Sequence, residues 1–329
     1  NECRVMAERK QYIDVVAGLM ILWMVIGHLQ QVTGYYLDFP NILFFFMPWF
    51  YYKAGALSKD YALREIANKG WQKFIKPFVV YGLIGQLILV ICMLLEHETS
   101  LKLYLYSPIR SLILGGTLPG NPPLWFIPSL FVTQCLFAFM RDRKLNIYIC
   151  AVIGLFGGIL LAIINYDFVP VYIGSGILGV FYFAMGKILH KYESNWKMLI
   201  GCLIICATLF IVNSSPNADI RHVAQYNGSV CNLLHGITMA LCCCIIINAL
   251  FNNIQPLLKF PLLQFVGKHA MDFYVTHWII LLIISRLLMG DIFHVWDEKL
   301  QFIITGIGCL LVIPAYIIIK NQWIKRTVH

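Results

Sequence analysis

Residues 13–36 read IDVVAGLMILWMVIGHLQQVTGYY. Every position from Val15 to Ile26 is apolar or glycine, and at about 1.5 Å per residue one helix of this length covers the roughly 30 Å hydrocarbon core of a bilayer. The stretch is nevertheless not uniformly apolar. Asp14, Gly18, Ile21, Val25 and His28 follow a 4-3-4-3 spacing, which places Asp14 and His28 on one helical face with the small Ala17 beside Gly18. His28 then lies roughly 21 Å beyond Asp14 along the axis, in the outer part of the membrane. A face that is polar at both ends and small near its base suits the wall of a tunnel better than a lipid-facing surface.

The rest of the chain repeats this character. Of 329 residues, 60% are hydrophobic and 12% charged, and the mean hydropathy is +0.74; soluble domains carry about twice that share of charge. The sequence is therefore that of an all-α integral membrane protein, a single domain over residues 1–329 with about ten transmembrane helices. Hydropathy places them near 13–36, 40–58, 75–95, 123–140, 146–164, 170–189, 197–213, 230–251, 262–289 and 301–320. The longest connections, about 59–74, 96–122 and 214–229, leave no room for a soluble catalytic domain. The polar opening NECRVMAERKQYIDVV runs into a span too long for a signal h-region, so no cleaved export signal is expected.

Alternate connections differ sharply in basic residues. About nineteen Lys and Arg, among them Arg4, Arg9, Lys10, Lys69, Lys73, Lys76 and Arg141, fall on one side, against about four on the other: Lys102, Arg110, Arg221 and Lys299. This imbalance predicts both termini in the cytoplasm and an even number of spans. The outer side is mildly acidic, with Asp38, Glu96, Glu98, Asp167, Asp219, Asp291, Asp297 and Glu298. The net charge of +9 is explained by topology; the bases are dispersed between apolar spans, and no nucleic-acid patch is formed. The eleven cysteines sit mostly inside apolar stretches without paired CxxC or Cys/His spacing, so they read as packing residues and no metal is expected. No GxxxxGK[ST], HExxH, GxSxG or GxGxxG occurs in a suitable setting, which removes nucleotide hydrolysis, zincin proteolysis and hydrolase-elbow chemistry.

Ionisable groups at membrane depth mark a packed polar interior or a functional site. Besides Asp14 and His28, the ninth span shows two stripes: Gly267, Ala270, Tyr274 and His277 on one face, and Asp272, Thr276, Ile279, Ile283 and Arg286 nearly opposite. Lys53 lies deep in the second span. His235 stands near Asn232 in the eighth, where the ordinary reading of a lone histidine is a hydrogen-bonded helix contact. Lys69, Lys73 and Lys76, followed by Pro77, gather at the inner mouth of the third span, as a lipid anchor or a seat for ligand phosphates. GNPPLWFIPSL, with Trp125, fits either an aromatic belt or a loop dipping into the protein.

Five segments, in order, resemble the membrane-bound acyltransferase 3 family of bacterial surface-sugar O-acetyltransferases: RKQYIDVVAGLMILWMVIGH at Arg9 to His28, FMPWFYYKAGAL, WQKFIKPF, PLWFIPSLFV and GKHAMDFYVTHWII. The first looks like the family's opening helix, with aspartate near its start and histidine at its end. The sequence departs from the family pattern at Ala17, where a basic residue is usual, and at Phe46, Ala54 and Ala270. The depth of Lys53 makes it the candidate to supply the charge that Ala17 lacks.

The resemblance implies transfer of an acyl group, commonly acetyl, from cytosolic acetyl-CoA to a hydroxyl of an outer-face glycan or lipid-linked sugar, in the inner or plasma membrane of a bacterium. It implies His28 as general base, Asp14 serving the inner end, and Tyr274 or His277 steadying the oxyanion or positioning the acceptor. Lys69, Lys73, Lys76 and Lys53 would hold the donor, and Trp125, His235 and Arg286 the acceptor. Membrane lipids are the surrounding partner, and self-association is left open. A sugar or lipid transporter and a catalytically silent scaffold of the same fold are the alternative readings.

Overall fold

A computed structural model describes residues 11–38, 42–59, 61–95, 100, 102–214, 220–254, 259–289 and 297–327. The polar opening with Arg4, Arg9 and Lys10, and the acidic Glu96, Glu98, Asp219 and Asp291, lie outside the described residues. Among those described, all regular structure is helical. The helices are α1 (Gln11–Thr33), α2 (Phe46–Ala56), α3 (Leu63–Gly70), α4 (Lys76–Leu95), the short α5 (Ser107–Arg110), α6 (Phe126–Asp142), α7 (Ile147–Ile164), α8 (Val171–Leu189), α9 (Trp196–Val212), α10 (Val230–Ile254), α11 (Pro261–Lys268), α12 (Ala270–Met289) and α13 (Glu298–Thr327). A π-helical turn, Trp71–Ile75, joins α3 to α4.

Eight helical segments among the described residues are long and apolar enough to cross a bilayer, and the apolar Trp196–Val212 is shorter. The expected second span differs most. Only 11 residues of it are helical, about 16 Å of axis, half the hydrocarbon thickness. The expected ninth span is two helices. Pro261 opens α11, and at His269 the backbone leaves helical geometry (φ −104°, ψ 24°) before α12 begins. The stripe from Gly267 to His277 is therefore split between two elements.

Local sequence explains the ends. Asn146 and Asn195 each accept the backbone N–H two residues on, at 3.0 Å, and cap α7 and α9; Asp297 does the same for α13 through Lys299 and Leu300, satisfying donors a helix start leaves open. Large apolar side chains of α4, α7, α9 and α13 face outward, Leu83, Leu87, Phe156, Ile204 and Leu311 among them. This is the pattern of a lipid-facing perimeter around an inner group formed by α1, α2, α6, α8, α10 and α12.

Without a hydrophobic drive between helices in lipid, close backbone approach holds the inner group together. A Cβ on Gly18 would collide with the Leu263 carbonyl, and one on Gly267 with the Asp14 carbonyl, so α1 and α11 lie backbone to backbone. Gly55 against Phe183 and Gly186 against Tyr52 do the same for α2 and α8. Below them sits a buried carboxylate. Glu193 Oε2 accepts from the Tyr12 hydroxyl at 2.8 Å and from His190 Nδ1 at 3.0 Å. Its Oε1 accepts from the Tyr52 hydroxyl and Asn248 Nδ2, both at 2.9 Å, while Trp49 Nε1 donates to Asn248 Oδ1 at 2.8 Å. One side chain ties α1, α2 and α10 to the end of α8.

Candidate active site

The two histidines that sequence could not place together are neighbours. The rings of His28 on α1 and His277 on α12 stack with centroids 5.3 Å apart and planes 28° from parallel. Trp278 meets the His28 ring edge-on at 5.4 Å. His28 is half-buried, whereas His277 is fully buried.

Hydrogen bonding fixes the ring tautomers. His277 Nδ1 lies 3.1 Å from the Phe273 carbonyl and 2.9 Å from that of Tyr274. Carbonyls only accept, so Nδ1 carries the proton and Nε2 keeps a bare lone pair. That Nε2 is buried and has no hydrogen-bond partner among the described residues. Gln31 Oε1 accepts from His28 Nδ1 at 3.1 Å, so the His28 Nε2 is likewise an acceptor. Both rings present proton-accepting nitrogens, the requirement for a general base.

A cavity comes within one helical turn of this pair, at Tyr274. Its volume is about 240 Å³, and its lining includes Ile21 of α1, Lys53 and Leu57 of α2, Lys73, Gln134 of α6, and Ala270, Met271 and Tyr274 of α12. A second cavity of about 280 Å³ shares Leu57, Lys73 and Gln134 with the first, and adds Ser58, Lys59, Tyr61 and Arg141. The two adjoin, the first lined mainly by apolar side chains, the second carrying Lys59, Lys73 and Arg141. Tyr274 lines the first cavity; its ring lies 6.1 Å from that of His277, one turn further along α12. Its hydroxyl donates to the Pro123 carbonyl, which ties α12 to the segment before Trp125.

The remaining sequence-predicted residues distribute as follows. Asp14 is buried at the α1–α11 crossing, remote from His28 along α1. Lys53 is half-buried in the first cavity, with Nζ 5.3 Å from the Trp49 ring. Ile21, one turn beyond Ala17 on α1, lines the same cavity. Of the three lysines, Lys73 lines both cavities. Lys69 pairs with Glu65 at 2.6 Å and sits over the Tyr61 ring at 3.6 Å. Lys76 is exposed and lines neither cavity. Trp125 is buried, with the Arg221 guanidinium 5.5 Å above its ring. His235 Nε2 donates to the Leu209 carbonyl of α9 at 2.9 Å, a helix-to-helix tie, and Arg286 is exposed two turns beyond His277. On the opposite stripe, Asp272 pairs with Lys320 of α13 at 2.5 Å.

Sequence reading missed Lys59, Arg141, Gln134 and Arg221. A basic residue at the end of an apolar helix such as α6 is an ordinary feature of membrane proteins, and only the fold brings Arg141 beside Lys73.

The family model of the acyltransferase 3 domain matches residues 10–319. The chain belongs to the acyltransferase 3 family. It is a multi-pass membrane acyltransferase, and the match runs from before α1 into α13. No curated protein and no solved structure matches it. In this acyltransferase the stacked histidines and both cavities fall within the matched domain.

Proposed function

We propose that the protein transfers an acyl group, acetyl in the simplest case, from cytosolic acyl-CoA to a hydroxyl of a glycan or lipid-linked sugar at the outer face of a bacterial membrane. The observation that carries this reading is the course of the paired cavities, from Lys59, Lys73 and Arg141 to Tyr274, one turn from the His28–His277 stack. A CoA thioester has matching parts: anionic phosphates for the mouth and a thin, weakly polar arm for the interior. Lysines serve phosphates as point charges, and Arg141 adds bidentate donors.

In this reading the acceptor hydroxyl meets His28, whose Nε2 takes its proton as the oxygen attacks the thioester carbonyl. The tetrahedral intermediate then collapses, the C–S bond breaks, and the CoA thiolate leaves with the proton from His28. Of the two roles open to His277, its tautomer supports positioning: a neutral ring whose only N–H is held by two backbone carbonyls accepts from a second sugar hydroxyl and gives nothing to an oxyanion. Tyr274, with its hydroxyl on Pro123, shapes the cavity end. Trp125 offers an aromatic face for a sugar ring.

The deciding experiment is transfer of label from acetyl-CoA carrying a radiolabelled acetyl group, using purified protein in nanodiscs. Label on a sugar, with one CoA released per acetyl, supports the reading. Absence of both donor binding and transfer sinks it in favour of transport or scaffolding. Two substitutions probe the donor path. Lys73→Glu reverses a charge shared by both cavities and is expected to weaken CoA binding about tenfold, about 1.4 kcal/mol, by titration calorimetry; an unchanged affinity would return Lys73 to membrane anchoring. Lys53→Met removes one of the two lysines of the first cavity and is expected to lower turnover by about 10²-fold, in line with loss of a preorganised electrostatic group. Undiminished turnover would exclude Lys53 from replacing the charge missing at Ala17.

A further inference from the structure

Arg221 lies outside every helix, yet the segment that carries it is firmly built in. Ile220, Val223 and Ala224 around it are buried. Gln225 Nε2 donates to the Val169 carbonyl at 3.1 Å, and Ala224 packs so tightly on α8 that a Cβ at Gly174 would stand 3.2 Å from it. The half-buried arginine is thereby held over Trp125, with Cζ 5.5 Å from the ring centroid. Beneath it the rings run on from Trp125 to Phe126 at 6.0 Å, from Phe126 to Tyr274 at 5.9 Å and from Tyr274 to His277 at 6.1 Å.

Acyl transfer through a tetrahedral intermediate puts negative charge on the former carbonyl oxygen, and a donor aimed at that oxygen is commonly the largest catalytic contribution. Four other described polar groups near the histidines have the wrong sense or are engaged. Tyr274 gives its O–H to Pro123. His277 gives its N–H to Phe273 and Tyr274. Gln31 turns an acceptor toward His28, and Asn121 Nδ2 donates to the Val275 carbonyl at 3.0 Å. A guanidinium has five N–H donors and a permanent charge, so contacts made by some leave others to act.

We propose that Arg221 is a further catalytic residue of the transfer, its guanidinium donating to the acyl carbonyl oxygen as that oxygen becomes an oxyanion. The assignment rests on the acyl-transfer reading above. As the acceptor oxygen bonds the carbonyl carbon, the C=O π pair moves onto oxygen beside Arg221 and the hydroxyl proton passes to His28. On collapse the pair returns, the C–S bond breaks, and the thiolate leaves with the His28 proton. Arg221 keeps its protons throughout.

The test measures CoA release from acetyl-CoA by the purified protein in nanodiscs, with methyl glycosides offered as acceptors. For Arg221→Gln, kcat is expected to fall about 10²–10³-fold while acetyl-CoA affinity and the gel-filtration profile stay as in wild type. Arg221→Lys should retain an intermediate rate, and free guanidinium should restore part of the rate of Arg221→Ala, which a packing role would not produce. Three results would overturn the assignment in an active wild-type background: kcat within about threefold of wild type in Arg221→Gln, a raised glycoside KM at unchanged kcat, or lost acetyl-CoA binding without guanidinium rescue. A wild-type protein that binds acetyl-CoA but releases no CoA would instead overturn the transferase reading, and this assignment with it.

Discussion

Replacing His28 with alanine should cost about 10²–10⁴-fold in turnover, the usual contribution of a positioned general base, with the protein still folded. The ring is half-buried and its hydrogen bond to Gln31 is exposed, so its removal opens no large cavity in the inner group. Acetyl-CoA affinity should survive, because neither cavity includes His28 in its lining. His277→Ala serves as the companion, since the two rings share one stack. If they act as a unit, the double variant will lose little more than the more damaging single one, as expected for coupled residues. Retained CoA release in His28→Ala would exclude the base role. Transfer of that role to His277 would show as a total loss in His277→Ala alone.

The second large effect concerns stability. Glu193→Ala withdraws the shared acceptor from the Tyr12 and Tyr52 hydroxyls and the Asn248 amide, all at one buried point. Removing one partner of a buried charged network costs on the order of 3–5 kcal/mol, which should lower the thermal unfolding midpoint in detergent by many degrees. Burial alone would raise the Glu193 carboxyl, but the hydrogen bonds from His190, Asn248 and Tyr12, with the His190 charge, outweigh it and hold the carboxyl below the usual glutamate range. The stabilisation is therefore complete above the unfolded value, about 4.3, and is lost as pH falls through the lower folded value. Wild type should lose stability along that acid limb, and Glu193→Gln should flatten it. An acid limb of unchanged slope in Glu193→Gln would place the network's stabilisation elsewhere.

How much of this was written in the sequence varies by element. The spans were legible because lipid selects for composition over a fixed length, a strong and local signal. The break at His269 was not, since PLLQFVGKHAMDFYV keeps helical periodicity straight through it and only Pro261 hints at two elements. The 4-3-4-3 face of α1 pointed to His28, and the spacing from Tyr274 to His277 pointed to one face of α12. That these faces meet is a tertiary fact with no local trace. Of Lys69, Lys73 and Lys76, sequence gave no ground for preferring one; the π-helical turn at Trp71–Ile75 carries Lys73 to the cavities while Lys69 and Lys76 remain outside. Glu193 escaped notice because a lone carboxylate in HKYESNW looks like solvated loop, and its four partners come from three other helices and its own turn. Arg221 escaped for a similar reason, as a lone base in a connecting segment.

The backbone contact of α1 with α11 has a mechanical consequence. Because glycines seat these two helices against each other without room for a Cβ, they behave as one strut, and His28 stands at the far end of it. His277 stands on a lever. Its helix begins anew at Ala270 beyond the His269 break, and the ring lies about 10 Å up that lever. A tilt of about 10° at the foot would swing the ring sideways by about 2 Å, and misplacements of about 1 Å are enough to slow enzymes 10²-fold. The junction at His269 and Ala270 therefore sets where the His277 ring meets that of His28, and substitutions there should shift the proposed catalytic pair from the opposite end of the helix without touching either histidine.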